Sequence, residues 1–142
     1  MKYALEIKDL TKTYPGGVEA LKGLSFSVEE GDFYALLGPN GAGKSSTIGI
    51  IGSIVTKSSG EVKIFDVDTD KNSAQAKKML GVVSQEINFS QFEKVIDIVV
   101  TQAGFYGIPK SEAEPKVESI LKRLSLWDKR NDQARTLSGG YK

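Results

Sequence analysis

The sequence contains no cysteine and no histidine among its 142 residues. The lack of cysteine excludes disulfides and thiolate metal sites, as is usual in a reducing compartment. The lack of histidine excludes zinc sites built on imidazole, serine–histidine triads and histidine acid–base catalysis. Any catalysis must therefore use carboxylates, lysine, backbone amides or a bound metal.

Long apolar runs and an excess of one charge are also missing. Nineteen basic residues face 18 acidic ones, a net charge of +1, which disfavours nucleic-acid binding driven by bulk charge. The longest apolar stretches, such as residues 48–55, are far shorter than the roughly 20 residues that span a bilayer. We therefore expect a protein without a membrane span, and because no secretory leader is recognisable at the start of the sequence, nothing marks it for secretion.

The pattern of apolar residues predicts a β-rich start, an α/β middle and a helical end. Apolar residues alternate over residues 3–7 and 24–28, which predicts antiparallel strands. Residues 33–37 and 81–84 are largely apolar and predict strands buried on both faces. A helix is expected from Lys44 onward.

Three further helices are predicted over residues 73–80, 94–105 and 111–124. Ser111 and Glu114 have the spacing of a capping box at the start of the last helix. Because the sequence shows no repeat and no linker, we expect a single domain.

A glycine-rich segment, Gly38-Pro39-Asn40-Gly41-Ala42-Gly43-Lys44-Ser45, fits the phosphate-loop pattern G-x-x-x-x-G-K-[ST] at every fixed position. Backbone N–H groups can surround a triphosphate only where side chains do not intrude, which explains the glycines. The loop lies between a predicted strand and a predicted helix, the context that separates a phosphate site from a plain turn. Lys44 would reach the β- and γ-phosphates, and the Ser45 hydroxyl would ligate Mg²⁺.

Three other features accompany the loop in a fixed order. Tyr14 precedes it, Gln85 follows a short apolar segment after it, and the sequence Leu-Ser-Gly-Gly occupies residues 137–140. With the loop, they resemble the A-loop aromatic, Walker A, Q-loop and signature motifs of the ATP-binding cassette of ABC transporters. The resemblance covers the whole chain.

The resemblance implies a role for each motif. Tyr14 would stack on the adenine ring, and Gln85 would contact Mg²⁺ or the attacking water. Ser138, Gly139 and Gly140 would close on nucleotide held by an opposite subunit, so that a complete site needs two cassettes. ATP binding is thereby implied for Tyr14, Gly38, Pro39, Asn40, Gly41, Ala42, Gly43, Lys44, Ser45, Ser46, Gln85, Ser138, Gly139 and Gly140. Within that set, Ser45 and Gln85 are the expected Mg²⁺ ligands, and Lys44 and Gln85 the catalytic residues.

The implied fold class is α/β, a P-loop NTPase of the ABC ATPase type. Residues 1–85 would form an antiparallel β subdomain with the P-loop core, residues 86–136 a helical subdomain, and residues 137–142 the start of the signature helix. Four apolar residues ending in Asp-Glu, the Walker B motif, are not found. We therefore expect an N-terminal piece, truncated before Walker B, that binds nucleotide without hydrolysing it.

The implied function is that of an ABC transporter ATPase subunit, which couples ATP binding and hydrolysis to transport through a membrane permease. Such a subunit works as a homodimer in the cytoplasm, on the inner face of the cell membrane. Residues 14–17 and 102–107 resemble the drug and polysaccharide exporter (ABC-2 type) branch. A cluster of basic residues is more typical of a solvated face than of a docking surface; its members are Lys122, Arg123, Lys129, Arg130 and Arg135.

The sequence leaves three other interpretations open. A soluble, non-transport ABC ATPase would carry the same motifs. A different P-loop enzyme would share the glycine-rich loop, although the Asp-x-x-Gly and Asn-Lys-x-Asp motifs of a GTPase are absent. A piece that binds no nucleotide is the third.

Overall fold

The computed structural model describes residues 2–83 and 90–137. Contacts within the chain divide it into two compact units, Met1–Val82 and Val83–Lys142. Each unit is described separately.

The first unit contains a four-stranded antiparallel sheet of order β2-β1-β3-β4. Its strands are β1 (Tyr3–Tyr14), β2 (Val18–Glu29), β3 (Ser59–Ile64) and β4 (Val67–Asp68). The antiparallel strands predicted at the start of the sequence are confirmed, as a long hairpin whose turn contains two glycines with positive φ, Gly16 and Gly17. Irregularities in the register let the two 12-residue strands of this hairpin stay paired along their whole length.

Two helices belong to this unit, α1 (Lys44–Ile51) and α2 (Ser73–Lys78). The buried core of the sheet side includes Ile50 from α1, and its members are Ile7, Leu10, Leu21, Ile50 and Val62. The helix that follows the glycine-rich loop is therefore anchored on the β1–β2 hairpin by the burial of apolar surface.

The strands predicted over residues 33–37 and 81–84 are wrong for the residues that the structure describes. Residues 33–37 and 81–83 are irregular, and Phe33 is fully exposed while Leu37 is 87% exposed. A strand exists only through backbone pairing with a neighbour, and no described strand lies beside either segment. The apolar composition of these segments is compatible with a buried strand, but a strand also needs a neighbouring strand with which to pair.

The second unit is helical where it is described. It contains α3 (Val95–Phe105), α4 (Lys110–Arg123) and two short 3₁₀ turns, Trp127–Lys129 and Ala134–Thr136. The apolar cluster of this unit joins both helices to the segment that follows them, through Val95, Val117, Leu121, Leu126 and Leu137. The helices predicted in this part of the sequence are confirmed, with small differences at their ends.

The capping box predicted at Ser111 is wrong. Helix α4 begins at Lys110 directly after the extended Pro109, and no side chain caps it. Ser111 therefore lies inside the first turn, where it cannot act as the N-cap residue. The carboxylate of Glu114 instead lies 3.6 Å from the ammonium of Lys110, one helical turn away.

Across residues 2–83 and 90–137, every helix is too short or too polar to cross a bilayer.

A close approach between β3 and β1 generates a stability prediction. Gly60 has φ +93°, and a Cβ at this position would lie 2.5 Å from the carbonyl oxygen of Asp9 and 2.6 Å from that of Lys8. We expect Gly60→Ala to lower the free energy of unfolding by about 2 kcal/mol or more, because it adds backbone strain to a steric clash. Urea unfolding followed by circular dichroism measures the change.

Gly81→Ala is the matched control in the same unit. Gly81 has no positive φ, and nothing would lie within 4 Å of its added Cβ. The free energy of unfolding should then stay within about 0.5 kcal/mol of the original. Equal stability of the two variants would contradict the account of the β1–β3 contact.

Candidate functional site

The glycine-rich loop is pressed against strand β2 at its end. Gly41 and Gly43 have φ +84° and +79°, and the N–H of Ala42 donates to the carbonyl of Pro39 at 3.2 Å, which closes a turn. A Cβ on Gly43 would lie 2.5 Å from both the Ala20 carbonyl oxygen and the Leu21 Cδ2 atom. Only glycine fits this position, so the pattern residue is explained by packing as well as by phosphate access.

Helix α1 begins at this contact, with its first N–H groups left for an acceptor. Gly43 is the N-cap residue and supplies no side chain, and the first turn contains no acidic residue. The buried Thr47 fixes the helix start, because its N–H and hydroxyl both donate to the Gly43 carbonyl, at 2.8 and 2.9 Å. Uncapped N–H groups and the positive end of the helix dipole favour an anion here.

The ammonium of Lys44 lies over the loop. It donates to the carbonyl oxygens of Gly38 at 2.5 Å and Pro39 at 2.6 Å. The side chain thus folds back along the loop instead of extending into solvent. A positive charge is thereby held beside the backbone of the glycine-rich loop.

Tyr14, at the end of β1, is tied to the same helix. Its hydroxyl forms a 3.0 Å hydrogen bond with the hydroxyl of Ser46, in the first turn of α1. On the ring itself, the Lys12 ammonium lies 4.7 Å from the centroid. The predicted aromatic is therefore attached to the first turn of the helix that follows the glycine-rich loop.

A single cavity of about 330 Å³ brings these parts together. Its lining residues are Tyr14, Val18, Glu19, Ala20, Asn40, Gly41, Ala42, Gly43, Lys44, Ser45 and Ser46. Gly38 and Pro39 join the site through their bonds to Lys44. The predicted residues Gln85, Ser138, Gly139 and Gly140 lie outside the described residues.

Sequence reasoning missed the contribution of β2 and of Lys12. Val18, Glu19 and Ala20 form one wall of the cavity, and nothing in their composition marks them. Lys12 had a readable signal, since it precedes Tyr14 by two residues on one strand and side chains at that spacing share a face.

Among the described residues that line the cavity, Ser45 is the predicted metal ligand, and Asn40 and Glu19 also carry side-chain oxygens. The Ser45 hydroxyl is exposed on the cavity and makes no hydrogen bond within the described part of the chain. No group of three or more acidic side chains there could hold a metal. This donor set fits Mg²⁺, which takes much of its coordination from phosphate oxygens and water, and it does not fit a cage of protein ligands.

Known proteins with similar sequences are ATP-binding proteins of transporters. The family model described as ABC transporter matches residues 21–142. The chain is 34% identical to the linearmycin resistance ATP-binding protein LnrL of Bacillus subtilis, over 97% of this chain and 44% of that protein. It is 37% identical to the energy-coupling factor transporter ATP-binding protein EcfA of Carboxydothermus hydrogenoformans, over 100% of this chain and 53% of that protein. The chain thus spans about half the length of these relatives.

Solved structures show the same fold. The cbiO1 protein of Clostridium perfringens, part of the ABC transporter complex cbiONQ, matches with a TM-score of 0.82 and 28% identity, over 99% of this chain and 57% of that one. A dimeric ATP-binding cassette in a post-hydrolysis state, bound to ADP and Pi, matches with a TM-score of 0.79 and 28% identity, over 96% of this chain and 64% of that one. The expected fold class, an α/β P-loop cassette with an antiparallel β part, is confirmed. The family model matches well over half of the residues of this chain, and the chain therefore belongs to the ABC transporter family.

Proposed function

We propose that the chain is the nucleotide-binding part of an ABC transporter ATPase subunit, with ATP as its ligand. The observation that carries the proposal is the single cavity on which Tyr14, the glycine-rich loop and Lys44 converge. An aromatic ring at one side and a cradle of amides with a cation at the other match the two chemical parts of a nucleotide, its base and its phosphates.

When the phosphates bind, their oxygens replace the backbone carbonyls as acceptors of the hydrogen bonds from Lys44. Lys44 already points its ammonium at two carbonyl oxygens, which are neutral acceptors. A phosphate oxygen carries charge and forms a stronger bond with the same ammonium. The uncapped N–H groups at the start of α1 add donors that no side chain of the described chain competes for.

The base stacks on Tyr14. A ring face offers a large contact area at a small cost in conformational entropy, because the ring is already fixed by the hydrogen bond to Ser46. The hydroxyl of Ser46 thus serves the base side of the site, whereas the hydroxyl of Ser45 faces the phosphates as a ligand for Mg²⁺. When bound there, Mg²⁺ would neutralise phosphate charge.

The protein to which this chain belongs would use the site to drive transport. Relatives named for export are the pyoverdine export ATP-binding/permease protein PvdT of Pseudomonas aeruginosa, 31% identical, and the macrolide export protein MacB of Aggregatibacter actinomycetemcomitans, 32% identical. We propose export, with a membrane permease as partner and the inner face of the cell membrane as location. The resistance protein LnrL and the sequence of residues 102–107 support that direction, while relatives named for methionine import support the opposite one.

Hydrolysis is proposed for the full-length subunit as a homodimer. Gln85 would contact the attacking water, and Ser138, Gly139 and Gly140 would meet nucleotide on the second cassette. For residues 1–142 by themselves we propose ATP binding without hydrolysis.

The role of Lys44 is tested by calorimetric titration of the chain with Mg-ATP and Mg-GTP. We expect Lys44→Ala to weaken ATP binding by about 10-fold to 100-fold, since it removes hydrogen bonds between charged groups. Lys8→Ala is the matched control, because Lys8 is exposed and has only a long 3.8 Å ion pair with Glu6. The control should bind ATP as the original chain does.

Two outcomes would overturn the proposal. Unchanged ATP binding by Lys44→Ala would remove the role given to this lysine. A clear preference for Mg-GTP would favour a different P-loop enzyme.

The metal ligand is tested by the dependence of ATP affinity on Mg²⁺. Removing Mg²⁺ with a chelator should raise the dissociation constant of the original chain for ATP. Ser45→Ala should make this rise about tenfold smaller, the lower end of the effect seen for outer-shell partners of a metal. Ser46→Ala is the matched control, because the Ser46 hydroxyl bonds Tyr14. It should leave the dependence on Mg²⁺ intact, and an equal loss in both variants would argue against Ser45 as the ligand.

A further inference from the structure

One face of the Tyr14 ring is covered by a cation from its own strand. The Lys12 ammonium lies 4.7 Å from the ring centroid, within the distance at which a cation is attracted by an aromatic face. The same ammonium donates to the carbonyl oxygen of Thr56 at 2.7 Å. Within the part of the chain that the structure describes, no carboxylate forms an ion pair with Lys12. Its charge is therefore available to the ring.

Lys12 contacts the Tyr14 ring but does not line the cavity. Tyr14 is one of the residues that line the cavity, and Lys12 is not. Lys12 thus contacts the ring without belonging to the set of residues that border the cavity. Any effect of Lys12 on a bound base passes through Tyr14.

The Tyr14 ring is held at two points, its hydroxyl and one of its faces. At its hydroxyl it is bonded to Ser46 on α1, and at its face it is held by Lys12, which is itself attached to the segment after α1 through Thr56. Rotation of the ring would break the hydrogen bond or the cation–ring contact. The Tyr14 side chain is therefore preorganised, which lowers the entropy lost when a planar group stacks on it.

We propose that Lys12 is a positioning residue for base recognition, which holds the Tyr14 ring in place for the base of the nucleotide. This inference rests on the proposed function, in which Tyr14 stacks on that base. The proposal concerns the base alone. The phosphates are bound by the loop and by Lys44, which Lys12 does not contact.

The test compares a ligand that has a base with one that lacks it. Mg-ATP and Mg-tripolyphosphate are titrated into the 142-residue chain and into Lys12→Met. We expect the dissociation constant for ATP to rise about two- to fivefold, the contribution of a cation–π contact at an exposed site. The dissociation constant for tripolyphosphate should change by less than that, so that the ratio of the two constants shifts.

The ratio separates positioning from other roles of the lysine. A general effect of its charge on an anionic ligand, or a loss of stability, would change both dissociation constants equally and overturn the proposal. Lys8→Met, a charge removal on the same strand, should leave the ratio unchanged. Lys12→Arg keeps a cation for the ring and should restore it.

Tyr14→Leu distinguishes failure of this inference from failure of the proposed function. If Tyr14→Leu leaves the ratio unchanged, the stacking role of Tyr14 is wrong and the role of Lys12 falls with it. If Tyr14→Leu shifts the ratio and Lys12→Met does not, only the role of Lys12 is wrong. In the Tyr14→Leu background, Lys12→Met should have no further effect on ATP, and an additive effect would contradict action through the ring.

Folding is controlled by circular dichroism of every variant. If Lys12→Met does not fold, Lys12→Gln replaces it, because glutamine keeps an N–H donor for the Thr56 carbonyl while removing the charge. The same shift in the ratio is expected of that variant. Failure of the original chain to bind either ligand would overturn both proposals.

Discussion

The contact between Gly43 and strand β2 is the constraint on which the site depends. The backbone of Gly43 comes so close to Ala20 and Leu21 that a Cβ would overlap both, and its carbonyl accepts two bonds from Thr47. Helix α1 must therefore begin there, with its first turn beside β2. Lys44, which follows at once, owes its place over the loop to this start. The cradle is a consequence of packing between a loop and a strand, and not of the loop alone.

The β1–β2 hairpin connects the two chemical halves of the proposed nucleotide site. Across its turn, Tyr14 pairs with Val18. Val18 is two residues before Ala20, the residue against which Gly43 packs. Leu21 also belongs to the buried core that includes Ile50 of α1. One apolar cluster thus fixes the strand that carries the ring and the helix that carries the phosphate donors. Loosening this core should disturb base and phosphate binding together.

The sequence predicts those parts of the molecule whose causes are local. The loop is recognisable because the requirement for glycine, lysine and serine at fixed spacing is met within eight residues, and the hairpin because alternation reports one buried face. Residues 33–37 could not be predicted in the same way, since a strand buried on both faces requires neighbours elsewhere in space. The Ser111 capping box failed for a related reason. The N-cap residue of α4 is Pro109, two residues before the N-cap predicted at Ser111, so the serine does not occupy the position at which a capping box works.

Charge in this molecule is arranged locally and not globally. A net charge of +1 supplies almost no long-range attraction for an anion, so the proposed binding of a triphosphate must depend on a few groups at short distance. Lys44 and the uncapped start of α1 provide them on one side of the cavity. The Lys12 ammonium is a second cation, bonded to the Thr56 carbonyl and in contact with the ring of Tyr14. Tyr14 lines the cavity, and Lys12 does not. Lys44 bonds to backbone acceptors that a phosphate can replace, whereas Lys12 contacts the Tyr14 ring and does not line the cavity. In the proposed function the two positive charges therefore have separable effects. Lys44 would set how strongly the phosphates are bound, and Lys12 how firmly the Tyr14 ring is held.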